Sequence, residues 1–160
     1  PELLSRLRNA GVSYQALEID RLTDLPEVID LIALTRALAH RGDREAWLSL
    51  LRSPWLGLEW KDICALLMDG RGATVMELLH DEQRLQTMSQ RARDSLSTFR
   101  ETLATHLEQD RNGSLRDRVE RLWLALGGPV IAGSSQGVEN AYRFLDVIDR
   151  LEVGGTLEDV

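Results

Sequence analysis

The sequence predicts a mainly all-α protein of about seven helices, including one long amphipathic helix, with one short strand near the N-terminus. Three observations carry this reading. Apolar residues recur at steps of three and four through most of the chain, capping residues stand before those stretches, and glycine or proline closes them. Strict alternation is confined to residues 12–16.

Residues 1–10 read as the tail of a helix, with Leu3, Leu4 and Leu7 on one face and Gly11 at a left-handed capping position. Val12, Tyr14 and Ala16 then alternate with Ser13, Gln15 and Leu17 as a strand. A lone strand needs a pairing partner, so this pattern is expected of an excerpt from a longer chain. Pro26 suits a helical first turn, and Val28, Ile29, Leu31, Ile32, Leu34, Thr35 and Leu38 form a broad apolar stripe up to Arg41-Gly42. Asp43 is placed to cap a helix carrying Ala46, Trp47, Leu50 and Leu51. Ser53-Pro54 ends it, because the residue before a proline is pushed out of helical geometry.

Residues 58–68 predict a third helix with Trp60, Ile63, Cys64 and Leu67 on its apolar side, Cys64 being a small core residue. Thr74 and Glu77 have capping-box spacing. Residues 78–107 then predict the long helix, through Leu85, Met88, Ala92, Leu96, Phe99 and Leu103, with a length of roughly 40 Å. Ser114 with Asp117 opens another helix through Leu115, Val119, Leu122 and Leu126, which Gly127-Gly128-Pro129 breaks. Beyond Gly133-Ser134-Ser135, the residues Val138, Ala141, Leu145 and Ile148 mark the last helix, ending near Gly154-Gly155.

With 160 residues, 43% hydrophobic and 28% charged, the chain has the composition of a folding domain. It carries no apolar run long enough for a membrane span and no signal-like start, and its single cysteine excludes an intramolecular disulfide, so a reducing, cytoplasmic setting is expected. The formal charge of -7 is the wrong sign for gripping phosphate unaided, so any nucleic-acid contact must be local. Residues 18–30 hold five acids against Arg21, and residues 139–159 six against Arg143 and Arg150, which leaves the middle of the chain near neutral.

Few residues carry a chemical signature. His40, His80 and His106 lack metal-ligand spacing and read as helix-end or surface residues. No phosphate-loop motif is present, Lys61 following Trp60 rather than glycine. Glu27 and Asp30, one helical turn apart, read as a solvated acidic pair, and Ser53, Ser134 and Ser135 have no nucleophile-elbow context. No catalytic, cofactor-binding or metal-binding residue is expected. Trp47, Trp55 and Trp60 crowd around Pro54 and Gly57, where Trp47 and Trp60 suit a core and Trp55, on the turn, suits either a core or a stacking platform for bases.

The first seventy residues resemble the C-terminal half of superfamily 1 DNA helicases of the UvrD/Rep/RecB type. Leu7, Gly11, Val12 and Tyr14 match a first motif, and Pro26, Glu27, Val28, Asp30, Leu31 and Leu34 a second. Asp43, Leu50, Leu51, Arg52, Ser53, Pro54, Gly57 and Leu58 match a third, in the same order; WLALGGP and VENAYRFLDVIDRLE resemble the nuclease-coupled branch more loosely. The resemblance implies that residues 1–20 end a motor-domain helix and strand, and that residues 21–160 are the helical insertion subdomain called 2B. The parent would be an ATP-dependent helicase, with or without exonuclease activity, that uses ATP and magnesium held elsewhere on its chain.

The implied partners are the remaining motor domains, double-stranded DNA held weakly and locally, and a possible partner subunit. The DNA-contacting residues it points to are Arg52, Ser53, Trp55, Gly57, Leu58 and Lys61, with backbone N–H groups of residues 54–58 facing phosphate. Glu59 stands where that family has a second glycine, which sets a carboxylate against an approaching phosphate. Leu25 in place of an arginine, and the absence of paired glycines after Tyr14, favour the RecB-like branch; a helical interaction module without DNA contact is the competing expectation.

Overall fold

A computed structural model describes residues 22–70, 72–109 and 113–153, and among them the protein is all-helical. The expected strand, the helix tail before it and the boundary at residue 20 lie outside the described residues. Nine helices are described: α1 (Pro26–Ala39), α2 (Arg44–Arg52), α3 (Trp60–Leu67), α4 (Val75–Leu78), α5 (Glu82–Gln86), α6 (Gln90–Gln109), α7 (Leu115–Ala125), α8 (Gly128–Ile131) and α9 (Ser135–Val153).

Helix α1 is the centre of the packing. Val28, Leu31, Ala33, Leu34, Thr35, Ala37 and Leu38 are buried, and the helix packs on α2, α7 and α9. A stripe that wide cannot be covered by one neighbour, so three elements close around it. Pro26 occupies its first turn as the sequence predicts, and the Thr35 hydroxyl is satisfied inside the helix by donating to the Leu31 carbonyl at 2.7 Å. Ile29, placed on the buried stripe by its spacing, is instead half exposed. Asp43 caps α2, accepting from the Ala46 N–H, and its other oxygen pairs with Arg36 at 2.8 Å to fix the α1–α2 corner.

The expected single helix over residues 78–107 is three helices. Thr74 and Glu77 do form a capping box on α4. Asp81 then accepts from the N–H groups of Gln83 and Arg84, starting a new helix at α5. A second break precedes α6, where the Ser89 hydroxyl accepts from the Ala92 N–H and Asp62 of α3 takes both the Ser89 N–H (2.7 Å) and the Ser89 hydroxyl (2.9 Å). The apolar period survives both breaks, since Leu85, Met88, Ala92, Leu96, Phe99 and Leu103 are all buried, but each cap turns the chain.

Helix α3 is rotated from its expected orientation. Asp62, Ile63 and Leu66 face inward, whereas Trp60 is 66% exposed and Cys64 is exposed. The inward acid is tolerable because Ser89 supplies two hydrogen bonds to it, and that tie turns Trp60 and Cys64 to the surface. Trp47 is in the core as expected, its indole N–H donating to the Arg41 carbonyl.

Ser114 caps α7, and Glu152 near the end of α9 also accepts from the Arg116 N–H at 3.0 Å, joining the two helices where the chain returns. The Gly127-Gly128-Pro129 break is present but compact: Gly127 takes φ +74°, and Gly128-Pro129 opens the short helix α8. Gly128 has no room for a side chain, because a Cβ there would sit 1.9 Å from Trp123 Nε1. Gly128→Ala is expected to destabilise the protein by about 2–3 kcal/mol through displacement of the buried Trp123. Asp62→Ala, which strands the start of α6, is expected to cost a similar amount, about 2–3 kcal/mol. Urea unfolding of both variants checks this, with unchanged midpoints refuting it.

Candidate nucleic-acid interface

The residues singled out by the sequence lie on the connection from α2 to α3 and at the helix ends beside it, Arg52 closing α2 and Lys61 standing in the first turn of α3. Ser53 is the C-cap of α2, and the chain folds back on it, with the Leu56 and Gly57 N–H groups donating to the Ser53 carbonyl at 3.2 and 3.3 Å. Gly57 takes φ +58°, a conformation that any L side chain would adopt under strain. The Leu56 carbonyl in turn accepts from Ser95 of α6 at 2.6 Å, so the turn is anchored from below.

This geometry separates the six residues. Arg52 and Gly57 are exposed and Leu58 is half buried. Ser53 is buried at 2% exposure, its hydroxyl without a hydrogen-bond partner, and cannot reach a ligand outside. Lys61 is exposed but held at 2.9 Å by Glu59, which pushes its ammonium pKa up. The expected phosphate-facing amides are partly spent: those of Leu56 and Gly57 are committed to Ser53 and Pro54 has none, leaving Trp55 and Leu58 as donors without partners among the described residues. At the start of α3, where a helix favours an anion, the chain supplies its own Glu59.

Arg91, on the exposed side of α6, is the basic residue that sequence spacing did not bring to this turn. Its Nη2 lies 4.0 Å from where a Gly57 Cβ would stand. Arg52 and Arg91 have no ion-pair partner among the described residues, whereas Arg36, Arg84, Arg100, Arg116 and Arg143 do. Guanidinium groups without a protein partner are the ones available to a phosphate.

Trp55 turns the other way. It is half buried, and with Pro54 it lines a cleft of about 210 Å³ whose opposite walls are Pro26, Glu27 and Asp30 of α1 and Trp123 of α7. Gly128, Ile131 and Ala132 complete it. Glu27 and Asp30 are therefore not a solvated pair on an open helix face, the reason being that α7, α8 and the α2–α3 turn close over the first turns of α1. Glu27 accepts from Asn140 of α9 at 3.0 Å. Asp30 has no hydrogen-bond or ion-pair partner among the described residues, and burial pushes its carboxyl up to about 6.

Among the described residues no cluster of His, Cys, Asp and Glu is arranged to hold a metal ion, and no helix is long and apolar enough to cross a membrane. His40 and His80 stand exposed at helix ends, as their spacing suggests, with His80 Nδ1 2.8 Å from the Met76 carbonyl. No protein-family model and no curated protein matches the chain.

The Asp30 environment has a consequence for stability. Its pKa is raised from 3.8 to about 6 on folding, so the fold favours the protonated form. That contribution is fully present below about pH 4 and is lost as pH rises through about 6. Asp30→Asn is therefore expected to melt a few degrees higher than the parent at pH 7.5 and at the same temperature at pH 3.5, partial exposure keeping the gain small. Thermal melts at the two pH values check this; equal melting points at pH 7.5 would refute it.

Proposed function

We propose that this chain is a helical accessory domain of a superfamily 1 DNA helicase or helicase-nuclease, of the RecB-like branch, acting in DNA repair in the cytoplasm. The observation that carries the reading is the ordered run of three motifs, ending in the Arg52-Ser53-Pro54 and Gly57-Leu58 segment. That segment forms an anchored, partly exposed turn flanked by Arg52 and Arg91, an arrangement compatible with weak contact to a duplex backbone. Such contact is sequence-independent: two guanidinium groups and the free amides of Trp55 and Leu58 address phosphate, and nothing on the turn is aimed at base edges. ATP and magnesium belong to the motor domains of the parent, and this domain would guide duplex toward them.

One observation favours a second reading. Trp60, Cys64 and Met68 are exposed at four-residue steps along α3 and its C-cap, an apolar stripe suited to a partner subunit. The net charge of -7 and the Glu59 carboxylate point the same way.

Titration of a labelled blunt duplex with the whole chain at low salt separates the two. Binding that weakens steeply with added salt is expected, and Arg52→Ala with Arg91→Ala should lower the salt slope by about two while Lys61→Ala leaves it nearly unchanged. Absence of binding at low salt would overturn the DNA-guiding role; a stable complex with a helicase-nuclease subunit that Trp60→Ser abolishes would then establish the second reading.

A further inference from the structure

The cleft behind the α2–α3 turn combines three features. Two carboxylates, Glu27 and Asp30, enter it from one helix, and two indoles, Trp55 and Trp123, enter from other elements. Among the described residues no lysine, arginine or histidine lines it, so none of them neutralises the acids. Trp123, 2% exposed, lines it as well, and its indole N–H donates to no group among the described residues.

The shape and chemistry limit the occupant. At about 210 Å³ the cleft is below the size of ordinary small-molecule sites and has room for about one long side chain rather than a nucleotide. Phosphate is excluded by two uncompensated carboxylates. A cation is favoured by both walls, since carboxylates pair with it and indole faces attract it. The Trp123 indole N–H, which has no partner among the described residues, is a donor that a carbonyl can meet and a bare amine or guanidine cannot. A basic residue within a peptide meets both, its side chain offering the charge and its backbone the carbonyl.

The geometry points to this cleft as a docking site for an arginine- or lysine-bearing peptide segment of a partner protein, the basic side chain inserted between Trp55 and Trp123 toward Asp30. Glu27, held by Asn140, has one oxygen committed and stands as the secondary partner. The inference is independent of the DNA-guiding role, because Arg52 and Arg91 take no part in it and the duplex test reads neither indole.

Indole N–H resonances of the whole chain give the readout. The chain has four tryptophans, of which Trp47 is engaged with the Arg41 carbonyl and Trp60 lies on α3, so both serve as internal references. The probes are acetyl-Gly-Arg-Gly-amide and the same peptide with citrulline, which keeps the shape and removes the charge. The arginine peptide is expected to shift Trp55 and Trp123 with a dissociation constant on the order of millimolar, and the citrulline peptide to bind roughly tenfold more weakly. Asp30→Asn, which is expected to stay folded, should weaken the arginine peptide by a similar factor of about ten. Equal affinity for the two peptides, equal affinity in Asp30→Asn, or shifts confined to Trp47 and Trp60 would overturn the proposal.

Discussion

Burial of α1 on three sides is the constraint on which the rest of the molecule is arranged. A helix with apolar residues around most of its circumference must be enclosed, and here α2, α7 and α9 do so, with the α1–α2 corner fixed by Asp43 and the C-terminal end of α1 held by Arg118, which donates to the Leu38 carbonyl at 3.1 Å. The same enclosure determines the cleft. The first two turns of α1 emerge at the edge of the packed region, so Glu27 and Asp30 are partly covered by α7, α8 and the α2–α3 turn instead of standing in bulk water.

The α2–α3 connection therefore has two faces with opposite electrostatics. Outward, Arg91 stands beside Gly57 and the exposed Arg52 ends α2, with positive charge that no acid of the described residues pairs with. Inward, Pro54 and Trp55 face the carboxylates of α1. The chain between them is short and tied down at Ser53 and Ser95, so a displacement on one face has little slack to absorb it before reaching the other.

Much of this fold was legible in the sequence wherever a local signal decides local structure. Asp43, Ser114 and the Thr74–Glu77 box mark helix starts because the capping partner lies within three residues. Asp81 and Ser89 were missed for the opposite reason: the apolar period runs through them unbroken, and the stronger tie at Ser89 comes from Asp62, 27 residues away. The same pair explains the rotation of α3, since a buried acid satisfied from another helix looks like a surface residue in sequence. At the candidate site, the turn at Pro54 and Gly57 was readable from composition, but the approach of Arg91 and the closing of a cleft over Asp30 depend on which elements cross, and residue spacing along one helix is silent on that.

The central claim is that Asp30 is held partly desolvated in a cleft that no cation of the described residues neutralises. Carbon-13 detection of its side-chain carboxyl across a pH titration of the free protein measures this at the atom concerned, with Asp30→Asn identifying the resonance. A midpoint near 6 is the expected result, falling when the arginine peptide is present because a cation favours the ionised form. A midpoint near the ordinary 3.8 in the free protein would contradict it, placing Asp30 in open solvent and leaving α1 without the charged cleft described for its first turns.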